Sequence, residues 1–351
     1  MPGRNAEIVR DCLKLMNEGR VDEVLARLPD DVEWDARGSL AVRERFRGRE
    51  AVGRAYEAFT GDWEKWKWEP EEIRELDDRA VLAVNRVFGR GRASGIEVSA
   101  RGAQIWTFQD EVPVHVSMYQ SPEEAARGYR RQLIERAHLY FVCEARPGGR
   151  DPGPLLDAAL RGGAGIVQLR EKSLPDDELI DAAAPFRRAA HEHGALFVLN
   201  DRPDLVAAAG AGGVHVGQDD MAVAEARRLA GAGAGAVVGL STHSEDEVTA
   251  ACEAEGDDRP DQISVGPVWE TPTKAGRPGT GLGLVEFAAR EATIPWFAIG
   301  GIDAETAAEV AAAGATRAVV VRAIRDSPHP EGTARTIAAA LGAGARQTER
   351  S

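Results

Sequence analysis

The sequence predicts an α/β protein in two parts, a (β/α)8 barrel preceded by a smaller α+β cone. Three observations carry this. From Leu139 onward, short apolar runs alternate eight times with mostly Ala-rich helical patterns. Before Ser121 the order differs, with helix patterns first and then strand-like runs of period two. Within the later part, Ala195–Asp220 (ALFVLNDRPDLVAAAGAGGVHVGQDD) holds one complete βαβ unit. Its apolar runs Leu196–Leu199 and Gly213–Val216 are each too short for a helix, and they flank a small helix pattern opened by Pro203 and closed by glycine.

Length and composition bound the answer. The 351 residues suffice for two domains, and the change of pattern divides them into 1–130 and 131–345. Asp plus Glu outnumber Lys plus Arg by 57 to 43, and a net charge of −14 argues against a duplex nucleic-acid partner. Any anionic ligand must therefore meet a local cationic cluster. Cys12, Cys143 and Cys252 are odd in number and lack metal-site spacing, which suits reduced thiols. Cys143 lies in an apolar run and belongs to the core. Met1–Arg20 is charged and helix-periodic, unlike a signal peptide, and no apolar run approaches a membrane span. A soluble, cytoplasmic chain with no membrane partner is expected; whether it forms a homo-oligomer is left open.

In the cone, Glu7–Asn17 is an amphipathic helix with Ile8, Cys12, Leu15 and Met16 on one face, and Val21–Leu28 is a second, shorter one. DVEWDA follows, with Val32 and Trp34 alternating, and then a loop leading into a helix over Phe46–Phe59. Strands are expected at Trp66–Ile73, Ala80–Arg90, Glu97–Phe108 and Val112–Tyr119, with turns at Asp77-Asp78, Gly89–Gly95 and Gln109-Asp110. Helices followed by a curved antiparallel sheet give a cone. VEW, FRGREAV and QIWTFQDEVPVHVSMYQSPEEA resemble the SnoaL-like branch of the NTF2-like superfamily over roughly residues 4–130. The resemblance implies a pocket between sheet and helices, with Trp34, Tyr56, Trp66, Trp106, His115 and Tyr119 as its candidate lining. These residues are expected to form core and to carry no specific chemistry, because this fold hosts many functions.

Pro122–Arg136 is helical and leads without a flexible linker into the barrel. The barrel strands are read at Leu139–Cys143, Gly165–Leu169, Leu196–Leu199, Gly213–Val216, Val237–Leu240, Gln262–Val265, Trp296–Ile299 and Arg317–Val321. The last helix ends near Leu341. Ala230–Ala236 is a helix exit and loop, and Ala345–Ser351 is expected to be disordered.

In such a TIM barrel the functional residues sit at the strand carboxyl ends. Parallel strands joined by a crossover helix bring Asn200-Asp201 and Gln218-Asp219-Asp220 to one edge. Carboxylates in close approach need a proton, a cation or a divalent metal, and Mg2+ takes one or two carboxylates and completes its shell with water and phosphate. Asp204 is expected only to cap a helix. Alternation at the second strand points Gln168, Arg170 and Lys172 the same way, which gives a guanidinium and an ammonium for phosphate oxygens. The fifth strand ends in Ser241-Thr242-His243. The sixth ends in Gly266-Pro267 and enters a long loop with Thr271, Thr273 and Lys274. The last two strands end in Gly300-Gly301 and Val321-Arg322-Ala323, the usual place of a barrel phosphate site. Two anion sites are therefore expected, one with metal and cations and one mostly backbone.

QLREK, ND, HVGQDD, STH, VGPVWETPTK and IGGI, in that order, resemble the thiamine phosphate synthase family over Leu139 to about Leu341. The resemblance implies a transferase joining two small-molecule substrates, a hydroxymethylpyrimidine diphosphate and a thiazole phosphate, to give thiamine phosphate and pyrophosphate. It implies Mg2+ on Asp201 and Asp220, with Arg170, Lys172, Asn200 and Lys274 on the diphosphate. Gln168 would contact the pyrimidine and Ser241 the diphosphate end; Lys172, Ser241 and Lys274 would act on the departing group. Thr271, Thr273, Gly301, Val321 and Arg322 would hold the thiazole phosphate, although the family commonly has serine where Arg322 stands. Two other readings are a thiazole tautomerase, which needs no metal-diphosphate site, and a non-catalytic ligand sensor.

Overall fold

A computed structural model describes residues 3–38, 43–231, 235–271 and 278–348, with side chains left out from 343 onward. The chain forms two compact units, Met1–Tyr129 and Arg130–Ser351. Among the described residues no helix is long and apolar enough to cross a membrane.

The first unit runs α1 (Arg4–Asn17), α2 (Val21–Leu25), β1 (Glu33–Asp35), β2 (Arg45–Arg47), α3 (Arg49–Gly61), β3 (Trp63–Asp77), β4 (Ala80–Gly91), β5 (Glu97–Gln109) and β6 (Val112–Tyr119). Its sheet has the order β2-β1-β6-β5-β4-β3. In α1 the buried residues Val9, Cys12, Leu13 and Met16 recur at helical spacing and pack on the sheet's inner face with Trp34, Trp68 and Trp106. Two expectations need correction. The sheet is mixed, because β1 pairs parallel to β6; the segment between them in sequence is a long crossover, which permits parallel pairing where a hairpin could not. The short strand β2 precedes α3, where a loop was expected.

The helix α4 (Pro122–Arg136) contains the boundary between the units. The barrel follows: β7 (Leu139–Cys143), α5 (Gly153–Arg161), β8 (Ala164–Leu169), α6 (Asp176–His193), β9 (Leu196–Asn200), α7 (Val206–Ala209), β10 (Gly213–Val216), α8 (Val223–Leu229), β11 (Val237–Thr242), α9 (Glu245–Glu253), β12 (Gln262–Val265), α10 (Gly281–Glu291), β13 (Trp296–Ile299), α11 (Ala307–Ala312), β14 (Ala318–Val320), α12 (Arg322–Arg325) and α13 (Pro330–Thr348). The eight strands close in the order β10-β11-β12-β13-β14-β7-β8-β9, all parallel. Strands buried on both faces read as continuous apolar runs, and β7 and β9 are buried at every residue. One core lies between strands and helices. A second fills the barrel interior, where Tyr140 meets Phe297 edge to face at 5.6 Å and Ile134 of α4 joins Leu196 and Val237. Asp261, fully buried, accepts from Arg227 Nη1 (2.8 Å), Arg131 Nε (2.6 Å) and Val238 N (2.8 Å), and so ties α4 to the strands.

The eighth strand is shorter than expected. Only Ala318–Val320 pair with β7, and Val321–Ala323 turn into α12. Of the tail expected to be disordered from Ala345, the described residues continue α13 to Thr348, and 349–351 lie outside the described residues. Asp204 does not cap a helix either; it lies inside the turn Pro203–Leu205 and pairs with Arg202.

Candidate active site at the mouth of the barrel

The register of β9 and β10 sets His215 beside Asn200, so the residues just beyond them share one edge of the mouth. Asp201 continues the ladder by donating its amide to the His215 carbonyl at 2.9 Å and then turns at φ 58°. That left-handed backbone is strained for most residues, but aspartate tolerates it comparatively well. After β10 the GQDD turn folds back, and Asp220 Oδ2 accepts the Gly217 amide at 2.8 Å. The Asp201 carboxyl is raised above the usual carboxylate range, first by burial and then by the negative charge of Asp220; Lys172, with Nζ 3.9 Å from Asp201 Oδ2, pulls the other way.

This donor set fits a hard divalent cation. Among the described residues no group of three or more His, Cys, Asp or Glu converges, so a cation here would meet two carboxylates and fill its shell from water and ligand. That is the ordinary coordination of Mg2+, and a cation would relieve the like-charge contact that raises Asp201.

Beside the acid pair the mouth opens into a cavity of about 370 Å3, lined by Gln168, Arg170, Asn200, Ser241, His243, Thr271, Gly301, Val321 and Arg322, among others. Lys172, Asp201 and Asp220 are not part of its lining. Thr273 and Lys274 lie outside the described residues. Gln168 is buried, and its Nε2 donates to the Tyr140 hydroxyl at 2.6 Å. His243 is held from two sides, its amide on Glu247 Oε2 at 2.7 Å and its Nδ1 against the Gly266 carbonyl.

Beneath Ser241 lies a buried polar layer that the strand patterns concealed. His215 Nε2 is 3.0 Å from Ser241 Oγ, Ser264 Oγ lies 3.5 Å from the same oxygen, and the Gln262 amide nitrogen is 3.3 Å from His215 Nδ1. A donor at Nδ1 leaves the ring proton on Nε2, directed at Ser241. Tyr140 and Ser264 also line the cavity, and neither was expected in the site. The available signal was a polar residue at alternate positions of an otherwise apolar strand, as in GVHV and QISV.

The sheet order sets β13 and β14 across the barrel from β9 and β10. There Gly300 and Gly301 hold φ of 105° and 71°, and a Cβ would meet Pro267 Cβ at 2.5 Å and Trp269 Cβ at 2.8 Å respectively. Only glycine fits this turn, and it leaves backbone open to a ligand. Arg322 stands next to it as the first residue of α12, exposed and lining the cavity.

A closed parallel barrel with an acid pair and cations on one side of its mouth and a glycine turn with an arginine on the other defines a phosphate-handling (β/α)8 barrel. The chain belongs to the thiamine monophosphate synthase family, whose model matches residues 139–324. Residues 9–115 match the SnoaL-like domain. The chain is 43% identical over 233 residues to thiamine-phosphate synthase of Arthrobacter sp., covering 61% of this chain and 98% of that one. It is 46% identical over 210 residues to the Acidothermus cellulolyticus synthase, with coverage of 60% and 97%. Among solved structures, thiamine phosphate pyrophosphorylase from Pyrococcus furiosus superposes with a TM-score of 0.53 at 28% identity, covering 60% of this chain and 98% of that one.

Proposed function

We propose that the barrel makes thiamine phosphate by joining 4-amino-5-hydroxymethyl-2-methylpyrimidine diphosphate to 4-methyl-5-(2-hydroxyethyl)thiazole phosphate, with Mg2+ held by Asp201 and Asp220. The observation that carries this reading is the close pair Asp201–Asp220, flanked by Lys172, at the edge of a cavity lined by Arg170 and Asn200. The bond from the pyrimidine methylene carbon to the diphosphate oxygen breaks, the thiazole nitrogen bonds to that carbon, and pyrophosphate leaves. When bound, the cation neutralises charge on the diphosphate and makes it a better leaving group.

The chain's own groups do the rest. Arg170, Lys172 and Lys274 add positive charge around the same oxygens, and Asn200 orients them. Ser241 Oγ faces donors at His215 Nε2 and Ser264 Oγ, so its own proton is available to an anion in the cavity. Gln168, fixed by Tyr140, presents its amide to the pyrimidine. Thr271, the Gly301 backbone, Val321 and Arg322 line the cavity opposite and hold the thiazole phosphate, a role the family resemblance extends to Thr273. Because the thiazole nitrogen needs only positioning, no protein nucleophile is required. The acid pair has no task in a thiazole tautomerase, which favours the synthase. A cytoplasmic setting completes the reading, and the free cysteines suit a reducing compartment. The test is incubation of the purified chain with both substrates, with Mg2+ or with excess chelator, and detection of thiamine phosphate by mass spectrometry. Product formed equally in chelator removes the metal from the reading; no product in either arm removes the synthase.

A further inference from the structure

Among the described residues each unit carries one histidine within a strand, His115 in β6 and His215 in β10. In the first unit Trp34, Tyr56 and Trp66 border the cavity as expected, whereas Trp106 is fully buried with its Nε1 on Gln104, the Tyr119 ring packs on Gly128, and His115 lies against Ser117 and Glu33. In the barrel, His215 is buried and does border the cavity of the candidate site. Its setting is fixed by register. His215, Gly239 and Gln262 form one row across β10, β11 and β12, and Ser241 and Ser264 form the next row on the same face. Strands two apart lie roughly 9–10 Å from each other, yet the Gln262 amide nitrogen reaches to 3.3 Å from His215 Nδ1. It does so over Gly239, where a Cβ would stand 2.2 Å from that nitrogen and 2.5 Å from Nδ1. The glycine supplies the room in which the two side chains meet.

This row locks the imidazole. With the Gln262 donor at Nδ1, the ring proton stays on Nε2, between Ser241 Oγ at 3.0 Å and Ser264 Oγ at 3.3 Å. The Ser241 backbone is fixed separately, by its pairing with Ser264 and by the Gln218 amide on its carbonyl at 2.7 Å. What can still turn in Ser241 is the hydroxyl, and a hydroxyl that already accepts a donor on its oxygen turns its own proton elsewhere. We propose that His215 is the positioning residue for Ser241. It holds the hydroxyl as a donor toward the cavity, so that the departing diphosphate oxygens meet a proton and not a lone pair. The inference rests on the synthase reading for what Ser241 touches. It gives Gly239 and Gln262 a task as well, since they fix the tautomer, and it has His215 act through Ser241 and not on the substrate.

A double-mutant cycle in the full chain tests this, with steady-state turnover of the two substrates in Mg2+ as the readout. His215→Leu keeps the bulk and removes the donor. It is expected to lower kcat by about ten-fold, the scale of one lost hydrogen bond, with KM for the thiazole phosphate unchanged. In a Ser241→Ala background the same substitution should change kcat by less than about two-fold. His215→Gln, whose amide nitrogen extends nearly as far as Nε2, should recover kcat to within about three-fold of the unsubstituted chain. A loss that persists undiminished in the Ser241→Ala background overturns the positioning role in favour of direct contact with substrate. A loss that glutamine does not recover overturns it in favour of packing. A second readout needs no turnover. With the histidine nitrogens isotopically labelled, the NMR signals of His215, identified by their absence in His215→Gln, should show Nε2 protonated and Nδ1 bare, and Ser241→Ala should move Nε2 far more than Nδ1. A proton on Nδ1, or no shift at Nε2, overturns the hydrogen bond even if His215→Leu fails to fold. No product from the unsubstituted chain overturns the catalytic task together with the synthase reading, and the spectrum tells that failure apart from a missing hydrogen bond.

Discussion

Asp201 combines a left-handed backbone with a carboxyl raised above the usual carboxylate range, by burial and then by the charge of Asp220. Asp201→Asn and Asp220→Asn are each expected to lower turnover on the order of 100-fold or more while the far-ultraviolet circular dichroism of the barrel is unchanged. Undiminished turnover in both variants would remove them from the reaction. The cysteines give a second residue-scale test. Burial pushes the Cys143 thiol up to about 12, with the neighbouring Glu144 adding to the effect, whereas Cys252 is only half-buried. Alkylation at mildly alkaline pH, followed by mass spectrometry, should mark Cys252 well before Cys143. The sign for stability follows from linkage. The folded state retains a proton that the unfolded chain gives up near 9.0, so this contribution is fully present below 9.0 and is lost as pH rises toward about 12. Cys143→Ala should therefore flatten the alkaline decline of the denaturation midpoint, and an unchanged slope would contradict the burial argument.

Among the elements, α4 depends on Asp261. The carboxylate is fully buried and shared by Arg227 and Arg131, so Asp261→Ala would strand a buried guanidinium at Arg227 and is expected to cost about 3–5 kcal/mol in urea denaturation. A loss below about 1 kcal/mol would mark the cluster as dispensable. The turn after β13 gives an orthogonal test. Gly301→Val meets Trp269 and a positive φ, and it should raise KM for the thiazole phosphate several-fold while sparing the pyrimidine diphosphate; the reverse dependence would exchange the two anion sites. The barrel strands were legible because burial on both faces writes an unbroken apolar run. Asp201 and Asp220 were legible because parallel pairing forces consecutive strand ends onto one edge. β2 was not, since its three residues, Arg45–Arg47, are largely exposed and leave no apolar signature. His215 and Tyr140 were hidden inside runs that read as core. Tyr140 lies in a run without polar contrast, whereas the histidine of GVHV does stand out among apolar neighbours; which face of the strand meets the barrel axis is set by closure of the sheet and is not written in the strand itself.

For the whole molecule, the division inside α4 decides where the chain can be cut. Ile134 and Ala137 belong to the barrel interior and Arg131 to the Asp261 cluster, so a chain starting at Ser121 should be soluble and keep its turnover within about two-fold. One starting at His138 loses all three and should aggregate. A folded but inactive Ser121 chain would show that the first unit contributes to the reaction. The closing seam of the barrel has a further consequence. β7 is the first barrel strand to be synthesised, and its partner β14 is the last, separated by nearly the whole length of the unit. On the ribosome, at roughly 5–20 residues per second, β7 waits many seconds for that partner. Until Ala318–Val320 emerge, the sheet has two open edges and every apolar strand is a potential template for a neighbouring nascent chain. Vectorial synthesis thus makes the carboxyl-terminal portion decisive for solubility, and a premature stop before β14 should be far more damaging to the cell than the same number of residues lost from the other end.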